Sequence, residues 1–149
     1  MTNILNLTIL NDSLWSAGQP TREQLHEVAA QGFHVVINLA LPTSDNAIPD
    51  EAELVRLLGM DYIHIPVVWE SPQAKDLEQF MDTLDSRSGS KIFVHCAMNY
   101  RASAFIGLWR VLRQGWTREQ AFAVQEEIWR LDKYPVWEKF VEAALTGCS

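Results

Sequence analysis

Residues 91–103 constrain the fold and the chemistry of this chain more than any other stretch. Apolar and β-branched residues lead into His95 and Cys96, and Arg101 precedes an apolar run with helical spacing. The pattern predicts a buried strand, a tight loop and the first turn of a helix. The N–H groups and the positive dipole end at the start of that helix favour an anion, including the thiolate form of a cysteine.

Two interpretations of Cys96 are open. A lone cysteine in a soluble protein is usually a buried structural thiol. The His-Cys pair, the arginine at the entry to the helix and the strand-loop-helix context favour the second interpretation, a site that handles an anion.

The same stretch resembles the signature loop of the cysteine-dependent protein tyrosine and dual-specificity phosphatases, His-Cys-x5-Arg-Ser/Thr. The resemblance implies that Cys96 is the nucleophile that attacks phosphorus, Arg101 the phosphate clamp and His95 the neighbour that orients the loop. It also implies a phosphocysteine intermediate and no metal or other cofactor. The phosphate-binding residues that it implies are Ala97, Met98, Asn99, Tyr100, Arg101 and Ser103.

The loop departs from the family pattern at three points. Four residues separate Cys96 from Arg101 where the phosphatases have five, so we expect a shallower cradle with one N–H donor fewer. Asn99 stands in place of a glycine, and asparagine tolerates the same left-handed turn better than most side chains. The hydroxyl expected after the arginine is missing, since Ala102 holds that position and Ser103 follows it.

Residues 66–72 resemble the loop from which this family supplies an aspartic acid as general acid. Val68 holds the aspartate position here, and valine has no proton to donate. Glu70 is the nearest carboxyl substitute and Asp45 the next, although Glu70 also fits a solvated acid before a helix N-terminus. Positioned proton transfer accelerates a reaction by about 10²–10⁴-fold. We therefore expect the missing acid to slow hydrolysis of alkyl phosphates more than hydrolysis of aryl phosphates.

The rest of the chain predicts a single phosphatase-like domain over residues 1–149. Capping boxes at Thr21 and Thr117 begin two helices, while 33–39 is typical of a strand covered on both faces. Residues 14–16 are expected at the entry to a turn. The pattern predicts a three-layer α/β fold, with a mostly parallel sheet of four or five strands between helices and a site at the carboxyl ends. The order Ser-Ala-Gly-Gln-Pro, helix, strand resembles the bacterial dual-specificity-like branch.

Composition limits the partners. A net charge of −7 argues against nucleic acid or an anionic membrane surface. Neither a signal peptide nor an apolar run of roughly 18 residues is evident, so we expect a cytoplasmic protein. No residue spacing indicates a metal site. Cys148 is expected to be a loose thiol at the chain end rather than a partner of Cys96.

These observations predict a phosphomonoester hydrolase that acts on a phosphorylated protein or a small phosphomonoester. Two other functions stay open. A rhodanese-like sulfurtransferase is one, because its cysteine loop is one residue shorter than that of its phosphatase relatives. A pseudophosphatase that binds phosphate without turnover is the other, and the missing acid at Val68 would permit it. Trp69 and Tyr100 either flank an aromatic substrate or simply pack.

Overall fold

The computed structural model describes residues 3–147, so the expectation for Cys148 falls outside it. One sheet contains five strands: β1 (Thr8–Asn11), β2 (Leu14–Ala17), β3 (Val35–Asn38), β4 (Asp61–His64) and β5 (Ile92–His95). The helices are α1 (Arg22–Ala30), α2 (Glu51–Leu57), α3 (Ala74–Ser86), α4 (Tyr100–Gln114), α5 (Arg118–Ile128) and α6 (Pro135–Thr146), with a 3-10 turn at Leu131–Lys133. None of the helices within 3–147 is long and apolar enough to cross a lipid bilayer.

The strands lie in the order β1-β2-β5-β3-β4, so β5 is central. It pairs in parallel with β2 on one side and β3 on the other, and β4 continues the parallel arrangement. Only β1 runs antiparallel to its neighbour. This topology confirms the predicted mostly parallel sheet. It also places Cys96 directly after the central strand, which is paired along both edges.

Helices cover both faces of the sheet, which confirms the three-layer α/β architecture. Leu25 and Val28 of α1 and Val55 of α2 pack on one face, together with Phe93 of β5. The opposite face is covered by apolar side chains of α3, α4, α5 and α6, among them Phe80, Phe105, Phe122 and Val141. The larger cluster contains Cys96 as well, so the cysteine lies at the border between the core and the candidate site.

Both capping boxes form as predicted. The Gln24 amide donates to Thr21 Oγ1 at 3.1 Å, and the Thr21 amide donates to Gln24 Oε1 at 2.9 Å. The same pair of bonds joins Thr117 and Gln120, at 3.2 and 3.3 Å. Each box satisfies two N–H groups that would otherwise lack a partner at the helix start.

The prediction of a turn entry at residues 14–16 is wrong. These residues belong to β2, which pairs with β1 along one edge and with β5 along the other. Four buried residues are too few to show a period, and the partner strand β5 lies almost eighty positions away in the chain. The pairing therefore left no local signal in the sequence.

Candidate active site

The Cys96 loop, residues 96–100, connects the end of β5 to the start of α4. Asn99 precedes the helix with φ 68° and ψ 10°, which is the left-handed conformation expected of a residue that replaces glycine. Asn99 is fully buried, and its Nδ2 donates to the Asn6 carbonyl at 2.9 Å. The side chain is thus used to fix the turn and lies behind the loop.

Residues outside the loop hold its carbonyl groups. The Ala97 carbonyl accepts hydrogen bonds from the backbone N–H of Gln19 at 3.1 Å and from Asn46 Nδ2 at 3.2 Å. The Met98 carbonyl accepts from Asn6 Nδ2 at 2.9 Å. Sequence reasoning did not find Asn6, Gln19 or Asn46, because each reaches the loop from a distant part of the chain.

The peptide N–H groups of the loop are left available. No acceptor within residues 3–147 receives a hydrogen bond from the amides of Ala97, Met98, Tyr100 or Arg101. The first turn of a helix supplies such unpaired donors, and the helix dipole adds a positive potential there. This combination can hold a small oxyanion.

A cavity of about 240 Å³ borders the loop. Its lining consists of Trp69, Cys96, Ala97, Met98, Tyr100, Arg101 and Tyr134. The structure thus brings together most of the predicted site residues. Cys96 borders the cavity although the residue exposes 0% of its surface to solvent.

Arg101 is the single basic residue in that lining, and its guanidinium is incompletely paired. Nη1 donates to the Val67 carbonyl at 2.9 Å, while the buried Nε has no acceptor within residues 3–147. Only 7% of the residue is exposed, and no carboxylate of the described chain forms an ion pair with it. A buried cation without a counter-charge is costly, so the arrangement favours an anion in the cavity.

His95 lies behind the loop in a buried pair with Glu51. Its Nε2 is 2.6 Å from Glu51 Oε2, and its Nδ1 is 3.4 Å from the Cys96 carbonyl. Glu51 Oε1 accepts from Gln19 Nε2 at 2.7 Å. Burial acts to raise the pKa of Glu51, but the charge of His95 and hydrogen bonds from His95 and Gln19 together lower it below its usual range. Sequence reasoning saw Glu51 only as the start of a helix; an acid directly after the loop that follows β3 was the available signal.

Other predicted residues lie outside the cavity lining. The Ser103 hydroxyl donates to the Tyr100 carbonyl and accepts from Trp129 Nε1, both at 3.0 Å, so both of its roles are filled. Glu70 is exposed and does not border the cavity. Asp45 is exposed beside Asn46, on the outer side of the loop.

Aromatic side chains form part of the cavity wall. Trp69 and Tyr100 line the cavity and also pack within an aromatic cluster that comprises Trp69, Tyr100, Trp129, Tyr134 and Trp137. Tyr100 stacks on Trp129 with centroids 5.1 Å apart, and Trp137 Nε1 donates to the Trp69 carbonyl at 2.8 Å. Both side chains therefore pack, as one expected alternative had it, and they also border the cavity; that they flank an aromatic substrate stays a prediction.

Gly18 directly follows β2 and lies so close to the Cys96 loop that a side chain would not fit. A Cβ at this position would lie 2.8 Å from the Ala97 carbonyl oxygen, which Gln19 and Asn46 hold in place. We expect Gly18→Ala to lower the free energy of unfolding by about 1–3 kcal/mol, measured by urea titration, because backbone must move. We also expect it to change the rate at which iodoacetamide alkylates Cys96.

Gly89→Ala is the matched control for Gly18→Ala. A Cβ at Gly89 would meet nothing within 4 Å, although its φ of +93° strains any other residue. This variant should lose stability through strain alone and leave Cys96 alkylation unchanged. Equal alkylation rates in both variants would contradict the close approach at Gly18.

Comparison with known protein families agrees with this geometry. The model of a family described as "DSP-PTPase phosphatase fused to NAD+ kinase" matches residues 7–138. A candidate phosphatase (DUF442) from Shewanella putrefaciens CN-32 is 36% identical, with a TM-score of 0.87 over 97% of this chain and 91% of that chain. A phosphotyrosine complex of P. aeruginosa TpbA has the same fold, with 13% identity and a TM-score of 0.73 over 96% of this chain and 90% of that chain.

Curated relatives match most of this chain but only a small part of their own length. The chain is 25% identical over 123 residues to a beta-lactamase hydrolase-like protein of Xylella fastidiosa (strain Temecula1), which is 80% of this chain and 28% of that protein. A protein of the same description from Agrobacterium fabrum is 30% identical over 96 residues, 62% of this chain and 22% of its own length. The chain therefore spans roughly a quarter of the curated relatives that it matches. The family match and the Shewanella structure show that the chain belongs to the DSP-PTPase family, a bacterial branch of the protein tyrosine and dual-specificity phosphatases.

Proposed function

We propose that this chain hydrolyses phosphomonoesters through a phosphocysteine formed at Cys96. One observation carries the proposal: the buried Arg101 has an unpartnered Nε and no carboxylate partner in the described chain, and it shares its cavity with Cys96. The unpaired amides of the Cys96 loop border the same cavity. A tetrahedral oxyanion would accept hydrogen bonds from the loop amides and from Arg101, and its charge would balance that of the guanidinium.

In the proposed first step, the Cys96 thiolate attacks phosphorus in line with the leaving oxygen. An S–P bond forms while the P–O bond to the leaving group breaks, and the leaving oxygen takes up a proton. The loop amides and Arg101 donate to the three equatorial oxygens. In the second step water attacks phosphorus, the S–P bond breaks, and inorganic phosphate and the thiolate are released. Catalysis then depends chiefly on fixed donors that need no reorganisation.

The substrate we propose is a phosphorylated protein or a small phosphomonoester. The aromatic wall formed by Trp69, Tyr100 and Tyr134 supports an aryl group next to the phosphate. Fold relatives of this chain include a complex with phosphotyrosine. A single basic residue in the lining argues against a ligand with several phosphates.

Proton donation to the leaving group is the weak part of this site. No carboxylate borders the cavity within residues 3–147, and Val68 replaces the expected acid. A positioned acid would accelerate the alkyl substrate by about 10²–10⁴-fold, and this site has none in the cavity lining of the described chain. We therefore expect kcat/KM for p-nitrophenyl phosphate to exceed kcat/KM for an alkyl phosphate by more than that factor. Steady-state kinetics on both substrates would measure the ratio.

Glu70 is our candidate for the residual proton donor, since it follows the cavity residue Trp69 directly. We expect Glu70→Gln to slow only the alkyl substrate, whose leaving oxygen needs a proton. Asp45→Asn serves as the comparison, because Asp45 is a second exposed acid and its neighbour Asn46 contacts the Cys96 loop. An equal loss on p-nitrophenyl phosphate would contradict the assignment.

The decisive experiment combines two assays with one chemical trap. We expect the protein to hydrolyse p-nitrophenyl phosphate and to retain labelled phosphate on Cys96 after an acid quench during turnover. Thiosulfate with cyanide should give no thiocyanate. Thiocyanate formation would indicate the sulfurtransferase instead, and phosphate binding without either reaction would indicate a pseudophosphatase.

A further inference from the structure

We infer that Glu51 is a positioning residue for the chemistry at Cys96, acting through His95 and Gln19. The inference rests on the proposed function. Glu51 is the first residue of α2 and is only 3% exposed, although it carries a carboxylate. A buried carboxylate is retained at a cost unless partners satisfy it, so its two partners indicate what it does.

Each oxygen of Glu51 holds a different support of the Cys96 loop. Oε2 is 2.6 Å from His95 Nε2, and Oε1 accepts from Gln19 Nε2 at 2.7 Å. His95 belongs to β5, and Gln19 follows β2, so one side chain joins two neighbouring strands at their carboxyl ends. The contact spans 44 positions of sequence to His95 and 32 to Gln19.

His95 and Gln19 contact adjacent carbonyl groups of the loop. His95 Nδ1 is 3.4 Å from the Cys96 carbonyl, and the backbone N–H of Gln19 donates to the Ala97 carbonyl at 3.1 Å. These contacts fix the two carbonyls, and the N–H groups that follow them belong to Ala97 and Met98, which both line the cavity. Glu51 therefore lies at the back of the arrangement that presents donors to an oxyanion.

Both ring nitrogens of His95 face oxygen atoms. Nε2 faces the Glu51 carboxylate and Nδ1 faces the Cys96 carbonyl, in a site where His95 is 0% exposed. The contact at Nε2 therefore fixes the orientation of the ring, and with it the position of Nδ1 opposite the loop.

Other groups near Glu51 belong to β4 and α2. His64 lies close enough to help lower the pKa of Glu51, and its Nε2 is 2.7 Å from the Ala40 carbonyl. Burial raises the pKa of Tyr62 to about 12, so its hydroxyl stays neutral beside the carboxylate. Arg56, on the same helix as Glu51, acts on Tyr62 in the opposite direction.

The test compares Glu51→Gln with Glu53→Gln, an exposed acid on the same helix. Glutamine keeps the shape and one acceptor but loses the charge. We expect Glu51→Gln to lower kcat on p-nitrophenyl phosphate about 10²-fold, with a much smaller change in KM, because misplaced catalytic groups cost about that much. Glu53→Gln should match the parent protein. Glu51→Asp keeps the charge and should recover part of kcat.

A second readout does not depend on turnover. The ring ¹⁵N shifts of His95 should differ between the parent protein and Glu51→Gln, because the contact at Nε2 changes, and they should be the same in Glu53→Gln as in the parent protein. A merely structural role for Glu51 would lower stability without changing this signature. Unchanged His95 ring shifts in Glu51→Gln, or a kcat in Glu51→Gln equal to that of Glu53→Gln, would overturn the inference.

The outcomes separate the inference from the function on which it rests. If the parent protein hydrolyses the ester only with Cys96 present, yet Glu51→Gln is fully active, the inference fails alone. If the parent protein shows no Cys96-dependent hydrolysis, the proposed function fails and Glu51 loses its positioning role with it.

Discussion

Cys96→Ser is expected to reduce hydrolysis of p-nitrophenyl phosphate by at least about 10³-fold, because the substitution removes the proposed nucleophile. A serine hydroxyl needs a general base to attack phosphorus, and no carboxylate or histidine lines the cavity within the described chain. The loop amides and Arg101 would remain in place. The variant should therefore keep its affinity for phosphate or vanadate, measured by calorimetry, while turnover is lost.

The substitution is close to isosteric at a fully buried position. We expect the free energy of unfolding to fall by no more than about 1–3 kcal/mol, the cost of burying one hydroxyl, so a variant that circular dichroism shows to be folded reports on chemistry. Residual activity within tenfold of the parent protein would contradict the phosphocysteine mechanism. Loss of oxyanion affinity together with stability would instead indicate that Cys96 is a structural thiol.

Arg101→Lys should lower kcat/KM about 10²–10³-fold, the usual cost of removing a fixed donor from an oxyanion site. The guanidinium donates to the Val67 carbonyl through Nη1 and still presents other N–H groups to the cavity. Lysine keeps the charge but has no planar fork, so it cannot serve the backbone and two phosphate oxygens at once. Vanadate affinity should fall with kcat/KM, because in the proposed mechanism Arg101 contacts the anion in both the ground state and the transition state.

Arg110→Lys is the matched control on the same helix. Arg110 is also buried, at 5% exposed, and its guanidinium lies 4.1 Å from the Trp116 ring centroid, away from the cavity lining. This variant should lose stability through packing and cation–π contact while oxyanion affinity is unchanged. Equal losses of affinity in both variants would show that helix α4, and not the Arg101 guanidinium, is responsible.

Short-range signals in the sequence were sufficient for the elements around the Cys96 loop. The capping boxes at Thr21 and Thr117 form within four residues of chain, and Asn99 adopts its left-handed turn through its own backbone preference. The apolar run before His95 and the helical spacing after Arg101 likewise define the strand and the helix locally. The position of the candidate site followed from these patterns because parallel strands end at one edge of a sheet.

Contacts between distant parts of the chain could not be predicted in this way. Asn6 meets Met98 across 92 positions, Glu51 meets His95 across 44, and β2 pairs with β5 without any period of its own. Ser103 turns to Trp129 because the tertiary packing of α4 and α5 supplies a donor that no neighbour in sequence provides. Backbone preference and side-chain period act over a few residues, whereas the supports of the loop depend on which surfaces the packed sheet and helices bring together. Only the folded chain could therefore show how the Cys96 loop is held.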